Sequence, residues 1–219
     1  MRCILLALLC TGILISCCSG PVDRMDHRVD QIIGPVVQVF LGDRWAGSGT
    51  IVASDDGGST ILTAHHVIAD HLLLGTPLFA QFVNADGELE RSPCEALTWS
   101  TERDVAVIGS PVQAKHVALV WKGDVDLFSK CYAAGISPTG LPLCNQGEVL
   151  GSKDGFYYVD AHVCFGYSGG ALYVEVNGNW QLVGVLVGIG TVGPYPLFHL
   201  TVVVDVRVAL EAMETPILR

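Results

Sequence analysis

The amino-acid sequence predicts an all-β fold. Its apolar segments are short, rich in β-branched residues and bounded by Gly, Asp, Asn or Pro, as β-strands are. These segments do not alternate with long amphipathic helices, so a parallel α/β sheet is not expected. Half of the 219 residues are apolar, only 16% are charged and 25 are glycine, which indicates a folded, turn-rich domain rather than a disordered chain.

The predicted strands follow one another from residue 35 to residue 206. In chain order, the segments are PVVQVFL, SGTIVAS, STILTAHHVI, LFAQFVNADGELE, DVAVIGS, KCYAAGIS, GFYYVDAHV, GALYVEVNGNWQLVGVLVGI and HLTVVVDV. Hairpin turns are predicted at residues 84–87 and 177–179, where Asn, Asp and Gly interrupt the apolar pattern. The segment VRVALEAME, residues 206–214, has apolar residues at helical spacing and predicts one short C-terminal helix.

Residues 1–20 have the pattern of an export signal. Arg2 precedes an apolar run that ends at small residues, which is the order found in secretory signal peptides. The segment 14–17, Leu-Ile-Ser-Cys, is similar to the lipobox of bacterial lipoproteins. This resemblance implies a signal peptide over residues 1–16, cleavage before Cys17 and a lipid on that cysteine, which would anchor the exported protein to a membrane of the cell envelope. An ordinary signal peptide cut near Ser19 or Gly20 is the alternative.

A polar segment separates the predicted signal peptide from the first apolar segment. Residues 17–30 lack apolar periodicity, so we interpret them as a tether and residues 31–219 as the folded domain. The net charge is −10, and no segment is rich in Lys and Arg. Because counterion release on DNA or RNA requires clustered cations, no nucleic-acid partner is expected.

A glycine-rich segment surrounds Ser168. The sequence Gly166-Tyr167-Ser168-Gly169-Gly170 fits both the nucleophile elbow of α/β-hydrolases and the Gly-x-Ser-Gly-Gly of trypsin-like proteases. An α/β-hydrolase needs an acid and then a histidine after its serine, and the pair in that order here is Glu175 and His199. Since the chain also lacks the strand-helix alternation of that fold, the trypsin-like order of histidine, aspartate and serine is favoured.

Candidates for the histidine and the aspartate lie upstream of the serine. The segment LTAHHV, residues 62–67, is similar to the Leu-Thr-x-x-His-Val of bacterial trypsin-like peptidases, and this spacing selects His66 as the base. On a strand, His65 and His66 would point to opposite faces, so only one of them would face Ser168. Asp104 opens the segment DVAVI and resembles the aspartate-x-alanine strand opening of the same peptidases.

These three motifs, in this order, resemble the chymotrypsin-fold, or trypsin-like, serine peptidases. The resemblance covers roughly residues 33–208 and is closest in style to the periplasmic trypsin-like heat-shock proteases, without room for their added PDZ domain. The pair Asp160-Ala161 and the segment WQLVGVLVGIG also match that family. The resemblance implies two six-stranded antiparallel barrels, residues 31–118 and 119–219, with a catalytic groove between them. It further implies protein or peptide substrates and no cofactor or metal.

The resemblance assigns a role to each residue of the motifs. His66 would take the proton of the Ser168 hydroxyl during attack and return it to the leaving amine. Asp104 would accept a hydrogen bond from the other ring nitrogen and hold the imidazole in the required tautomer. The N–H groups of Gly166 and Ser168 would form the oxyanion hole. A catalytically inert binding lipoprotein of the same fold is the alternative function, although such a module has no need to keep all three residues.

One departure from the family concerns activation. In trypsins, the residue before the nucleophile is an aspartate that pairs with an N-terminus freed by zymogen cleavage. Tyr167 stands at that position here and cannot form the ion pair. We therefore expect no activating cleavage at Ile32 or Ile33.

A second departure concerns disulfides. Cys131 and Cys164 match cysteine positions of trypsins, but their usual partner positions lack cysteine, Val174 being one of them. The barrel cysteines are Cys94, Cys131, Cys144 and Cys164, and four cysteines permit three full pairings. We favour a bond between Cys131 and Cys144, because they flank one turn-rich loop.

The specificity pocket is open to two hypotheses. Counting back from Ser168, His162 falls where trypsin-like enzymes place the residue at the base of the pocket, which would favour acidic or polar P1 side chains. Alternatively, His162 points away, and Val187, Gly188 and Ile189 line a pocket for apolar P1 side chains of medium size.

Overall fold

A computed structural model describes residues 28–192 and 195–214, with the side chains of residues 192, 195–199 and 212–214 left out. The predicted signal peptide over residues 1–16, Cys17 and most of the predicted tether lie outside the described residues. The described chain forms two closed six-stranded antiparallel barrels followed by a short helix, which confirms the predicted fold class. No helix in this part of the chain is both long and apolar enough to cross a membrane.

The first barrel contains the strands β1 to β6. They are β1 (Val36–Leu41), β2 (Arg44–Asp55), β3 (Gly58–Thr63), β4 (Leu78–Val83), β5 (Leu89–Ser100) and β6 (Val105–Ser110). Their order around the barrel is β1-β2-β3-β6-β5-β4, and β1 closes it by pairing with β4. A helix, α1 (His65–Leu74), follows β3. Alternate residues of β4 are buried, as expected for a strand with one face in the barrel interior.

The second barrel contains the strands β7 to β12. They are β7 (Lys130–Ile136), β8 (Pro142–Lys153), β9 (Phe156–Val159), β10 (Ala171–Val176), β11 (Asn179–Val192) and β12 (Tyr195–Asp205). Their order is β10-β11-β12-β9-β8-β7, closed by the pairing of β10 with β7. The predicted C-terminal helix is present as α2 (Val206–Glu214), and buried Val206 and Ala209 attach it to the core. Because β1 pairs with β4 and β10 with β7, neither barrel of the described chain has an edge strand.

Both predicted hairpin turns are confirmed. Between β4 and β5, the side-chain oxygen of Asn84 accepts hydrogen bonds from the N–H groups of Asp86 and Glu88, and Gly87 has a φ of 88°. Between β10 and β11, Asn177 and Gly178 have φ values of 52° and 81°. Two consecutive left-handed residues form the turn that matches the twist of a tight hairpin, and Asn-Gly is the preferred pair for it.

The sequence analysis did not predict β8 and most of β5. Few side chains of β8 and β5 are buried, so these segments lack the apolar pattern of a strand with one face in the core. Each is nevertheless paired along nearly its whole length. Residues 89–94 of β5 pair with β4 and residues 95–100 with β6, while residues 142–148 of β8 pair with β7 and residues 149–153 with β9. Barrel closure, rather than local hydrophobicity, therefore makes these segments strands.

The junction between the barrels lies near residue 118. The N–H of Ala118 donates to the carbonyl of Ile51 in the first barrel, whereas the carbonyl of Leu119 accepts from the N–H of Leu182 in the second. The hydrogen bonds thus change barrels between residues 118 and 119.

A π-helical turn at Val29–Ile33 precedes the first strand and packs on the second barrel. Ile32 is buried, and the Gln31 side chain bonds the Asn179 side chain and the N–H of Trp180, both at 3.1 Å. Residues 29 and 30, which the sequence analysis includes in the tether, therefore belong to this turn.

The favoured disulfide between Cys131 and Cys144 is wrong, since all four barrel cysteines are free. Cys131 is paired in register with Gly147, and Cys144 with Ala134, so the two cysteines lie three register positions apart. That separation is about 10 Å along the strands, and an odd offset places them on opposite faces of the hairpin. Cys131 is accordingly buried and Cys144 exposed, and burial raises the pKa of the Cys131 thiol to about 12.

Candidate active site

His66 lies in the first turn of α1 and not on a strand. β3 ends at Thr63, Ala64 is extended with φ −82° and ψ 145°, and the helix begins at His65. The strand argument used to separate His65 from His66 was therefore wrong, because a helix directs neighbouring side chains about 100° apart rather than to opposite faces. The two histidine rings nevertheless have different partners: His65 Nε2 lies 3.4 Å from Thr101 Oγ1, whereas the His66 ring contacts Asp104.

Asp104 contacts both the ring and the backbone of His66. One carboxylate oxygen, Oδ2, lies 2.7 Å from His66 Nδ1, and the other, Oδ1, accepts the backbone N–H of His66 at 2.9 Å. The carbonyl of Asp104 accepts the N–H of His65 at 3.1 Å. Asp104 therefore caps the N-terminus of α1, where free N–H groups favour a negative charge.

The backbone of Asp104 is in the left-handed region, with a φ of 55°. Asp and Asn tolerate this conformation better than other residues with a Cβ, although it remains unfavourable. The turn over residues 101–104 and the hydrogen bonds to α1 hold the residue in place directly before β6.

This geometry selects one tautomer of His66. An ionised carboxylate can only accept hydrogen bonds, so Nδ1 carries the proton that it donates to Asp104. Nε2 is then left with a lone pair, which is the state that a general base requires.

Ser168 lies in a loop between β9 and β10 that glycines shape. Gly166 and Gly169 have φ values of 95° and 84°, which residues with a Cβ rarely adopt. The N–H groups of Tyr167, Gly169 and Gly170 donate to the carbonyls of Cys164, Leu186 and Tyr167. In contrast, the N–H groups of Gly166 and Ser168 donate to no backbone carbonyl in the described residues. These two groups are available to bind an oxygen atom from outside the chain.

The Ser168 loop packs on the junction that carries His66. A Cβ on Gly47 would lie 2.9 Å from the carbonyl oxygen of Ser168 and 2.8 Å from the side chain of Val67, so both residues contact this glycine. A Cβ on Gly169 would collide with the backbone of Ser48 and the side chain of Thr63. Glycine at these positions lets the loop approach the end of β3 and the start of α1. Among the described residues, no hydrogen bond joins the Ser168 hydroxyl to the His66 ring; hydrogen bonds within a catalytic site are often long when no ligand is bound.

A cavity of about 280 Å³ lies beside Ser168. Its lining is mostly apolar and consists of Val163, Cys164, Phe165, Tyr167, Ser168, Leu186, Gly188 and Ile189. A larger cavity of about 580 Å³ in the first barrel includes none of the three predicted catalytic residues.

Two of the three predicted pocket residues are not among those lining this cavity. His162 is exposed, and its carbonyl accepts a hydrogen bond of 2.6 Å from the Asn145 side chain. Val187 is half-buried and packs against the apolar clusters of both barrels. Gly188 does line the cavity, together with Ile189. The pairing of β11 with β12 shifts register between Leu186 and Gly188, so the strand is irregular at Val187.

The sequence analysis overlooked the role of Ser48. This residue lies in the segment Gly47-Ser48-Gly49 of β2, is fully buried and bonds the loop of Ser168. Glycines on both sides of a single serine were the available signal. No cluster of metal-ligating side chains is found in the residues that the structure describes.

Known proteins can now be compared with this arrangement. The sequence profile of the family described as "Trypsin-like peptidase domain" matches residues 47–185, which include His66, Asp104 and Ser168. No curated protein sequence matches the chain.

Several solved structures share the fold. Deg5 aligns with a TM-score of 0.68 at 21% identity, covering 86% of this chain and 91% of Deg5. The HtrA-type protease AlgW, solved with a decapeptide, aligns with a TM-score of 0.67 at 19% identity over 86% of this chain and 66% of AlgW. A serine endoprotease from Yersinia pestis has a TM-score of 0.67, 23% identity and coverages of 86% and 65%. This chain thus spans about two thirds of the length of the AlgW and Yersinia chains.

Proposed function

The chain belongs to the trypsin-like peptidase domain family, and from this premise we propose that it is a serine endopeptidase. His66 is the general base, Asp104 orients it, and Ser168 is the nucleophile. The observation that carries the proposal is the double contact of Asp104 with His66, at 2.7 Å to the ring and 2.9 Å to the backbone. A binding module has no use for an imidazole whose outer nitrogen is kept free in this way.

In the first half of the reaction, the Ser168 oxygen attacks the carbonyl carbon of the scissile peptide bond. The Ser168 proton passes to His66 Nε2, and the negative charge of the imidazolium's partner, Asp104, stabilises the cation. The carbonyl oxygen becomes an oxyanion, which the N–H groups of Gly166 and Ser168 bind. The tetrahedral intermediate then expels the amine, which takes the proton from His66, and the acyl group remains on Ser168.

In the second half, water replaces the amine. His66 removes a proton from the water as its oxygen attacks the acyl carbon, and the oxyanion hole again stabilises the intermediate. The proton returns to the Ser168 oxygen as the ester bond breaks, and the carboxylic acid product leaves. Each residue ends in its starting protonation state.

Labelling with a fluorophosphonate tests the proposed chemistry. The reagent phosphonylates a serine, with loss of fluoride, only where a base activates it, so the folded protein is expected to form one adduct, and peptide mapping is expected to find it on Ser168. Protein unfolded in urea serves as the control and is expected to remain unlabelled. A folded protein without an adduct would favour the alternative, an inert binding lipoprotein of the same fold.

The cavity beside Ser168 accepts apolar P1 side chains of medium size. Its lining from Val163, Leu186 and Ile189 supports this, and nothing lies within 4 Å of a Cβ added at Gly188. Gly188→Leu is therefore expected to fold normally but to fill the cavity, lowering kcat/KM for a P1 leucine peptide about 100-fold relative to a P1 alanine peptide. His162→Ala is the control and is expected to leave the P1 preference unchanged. A changed preference in His162→Ala, or an unchanged one in Gly188→Leu, would contradict the assignment of this cavity.

The enzyme is exported and held at a membrane of the cell envelope by a lipid on Cys17. The lipobox-like segment 14–17 supports this part of the proposal, and the polar residues after it supply a tether. In cells fed an alkyne fatty acid, the wild type is expected to carry the label and Cys17→Ala to lose it, whereas Cys18→Ala keeps it. A wild-type protein without label, with its mature N-terminus near residue 19 or 20, would instead indicate an ordinary signal peptide.

A further inference from the structure

Ser48 connects the first barrel to the loop that carries Ser168. Its hydroxyl donates to the carbonyl of Gly166 at 2.5 Å and accepts the N–H of Ile136 at 2.8 Å. Its backbone N–H donates to the carbonyl of Ser168 at 2.8 Å. These partners are 118 and 88 residues away for the side-chain bonds, so the contacts exist only once both barrels have folded.

Ser48 is fully buried, and its hydroxyl both donates and accepts a hydrogen bond. Its own backbone is fixed as well, because its carbonyl accepts a hydrogen bond of 2.7 Å from Thr63 Oγ1 at the end of β3. A buried polar group in such a position is held firmly, since loss of either partner would leave an unpaired group in the interior.

The bonds from Ser48 constrain the peptide planes around Ser168. The Gly166 carbonyl shares a plane with the N–H of Tyr167, and the Ser168 carbonyl shares one with the N–H of Gly169. The plane between them contains the N–H of Ser168, which belongs to the proposed oxyanion hole. Because Ser48 binds the planes on both sides, it limits rotation of the plane in the middle.

Trp45, on the same strand, contacts Gly166 from another side. A Cβ at Gly166 would collide with the Trp45 ring, and the indole N–H of Trp45 donates to the carbonyl of Gly47 at 2.8 Å. Strand β2 therefore contacts Gly166 through an aromatic ring and through the Ser48 hydroxyl. The part of β2 that contacts Gly166 is rigid, because β2 pairs with both β1 and β3.

Tyr167 explains why the Ser168 loop needs the contacts from β2. In trypsins an aspartate at this position orders the loop by pairing with a freed N-terminus, but here Tyr167 is 1% exposed and its hydroxyl contacts the Asn145 side chain at 3.3 Å. The nucleophile loop must therefore be ordered by a different contact. Ser48 supplies one that needs no cleavage of the chain.

We propose that Ser48 is a positioning residue that orients the Gly166–Ser168 segment so that its free N–H groups can bind the oxyanion. The inference rests on the proposed peptidase function. Ser48 does not touch the substrate and acts only through the loop, so its loss is expected to affect the transition state more than the bound substrate.

The experiment compares Ser48→Ala with Ser59→Ala. Ser59 is a matched control, since its buried hydroxyl also bridges a carbonyl and an N–H, those of Val112 and Ala114, at 2.7 and 3.0 Å. Ser48→Ala is expected to lower kcat by about 10- to 100-fold with KM changed less than about threefold. Its affinity for a peptide boronate, which forms a tetrahedral adduct with the serine, is expected to fall by the same factor as kcat. Ser59→Ala is expected to lose thermal stability similarly and to keep kcat.

The outcomes separate this inference from the proposed function. A wild type without turnover would overturn the proposed function and this inference with it. If the wild type is active, two results would overturn the role of Ser48 alone. In the first, the kcat of Ser48→Ala stays within about twofold of that of Ser59→Ala. In the second, KM rises by the same factor as kcat falls. If Ser48→Ala does not fold, Ser48→Cys replaces it, because a thiol is somewhat larger than a hydroxyl, leaves no empty space and forms only weak hydrogen bonds. A folded Ser48→Cys with normal kcat would equally overturn the inference.

Discussion

Ser168→Ala is expected to lower kcat for a peptide substrate by about 10⁶-fold while leaving the fold intact. In the proposed mechanism, the substitution removes the oxygen that forms the acyl intermediate. Ser168 is only half-buried and the substitution removes a single oxygen atom, so thermal stability is expected to change little. Residual hydrolysis above the rate in water would come from the oxyanion hole and from substrate positioning.

Steady-state hydrolysis of a fluorogenic peptide, with thermal unfolding of the same samples, measures this effect. Ser152→Ala is the control, because Ser152 is an exposed serine on β8 outside the proposed site. It is expected to retain the wild-type kcat. Turnover by Ser168→Ala above about 1% of wild type would show that another residue is the nucleophile.

Asp104→Asn is expected to lower kcat by about 10⁴-fold. Asparagine accepts the left-handed φ of 55° that this position requires, so the backbone is preserved. Its single side-chain oxygen can accept the backbone N–H of His66, which leaves an NH₂ group facing Nδ1. Nδ1 must then accept a hydrogen bond, the proton moves to Nε2, and His66 loses the lone pair that the Ser168 hydroxyl needs.

The control for Asp104→Asn is Asp70→Asn on the same helix. Asp70 forms an ion pair of 2.8 Å with Arg44, and both side chains are largely exposed, so this pair contributes little to stability or turnover. Comparing kcat and thermal unfolding of the two variants separates catalysis from helix stability. A loss of less than about tenfold in Asp104→Asn would mean that His66 does not depend on this carboxylate.

Much of the fold was predictable because it depends on local patterns. The short apolar segment LFAQFV predicts β4, and Asn-Gly predicts the tight turn at residues 177–178. The strands that the pattern did not indicate, β8 and most of β5, have mainly exposed side chains, and only pairing with both neighbours in a closed barrel makes them strands. That pairing cannot be predicted from the hydrophobicity of the segment itself.

The proposed site divides in the same way. The sequence determined which residue types occur in which order: a histidine after an apolar strand, an aspartate before another, and a serine among glycines whose backbone angles require glycine. Tertiary structure alone decided that His66 lies on a helix rather than on a strand, that Ser48 reaches a loop 118 residues away, that Cys131 and Cys144 face apart, and that His162 lies outside the cavity. The physical reason is that these relations depend on register and barrel closure, which set distances between segments remote in the chain, whereas residue order and spacing constrain only neighbours.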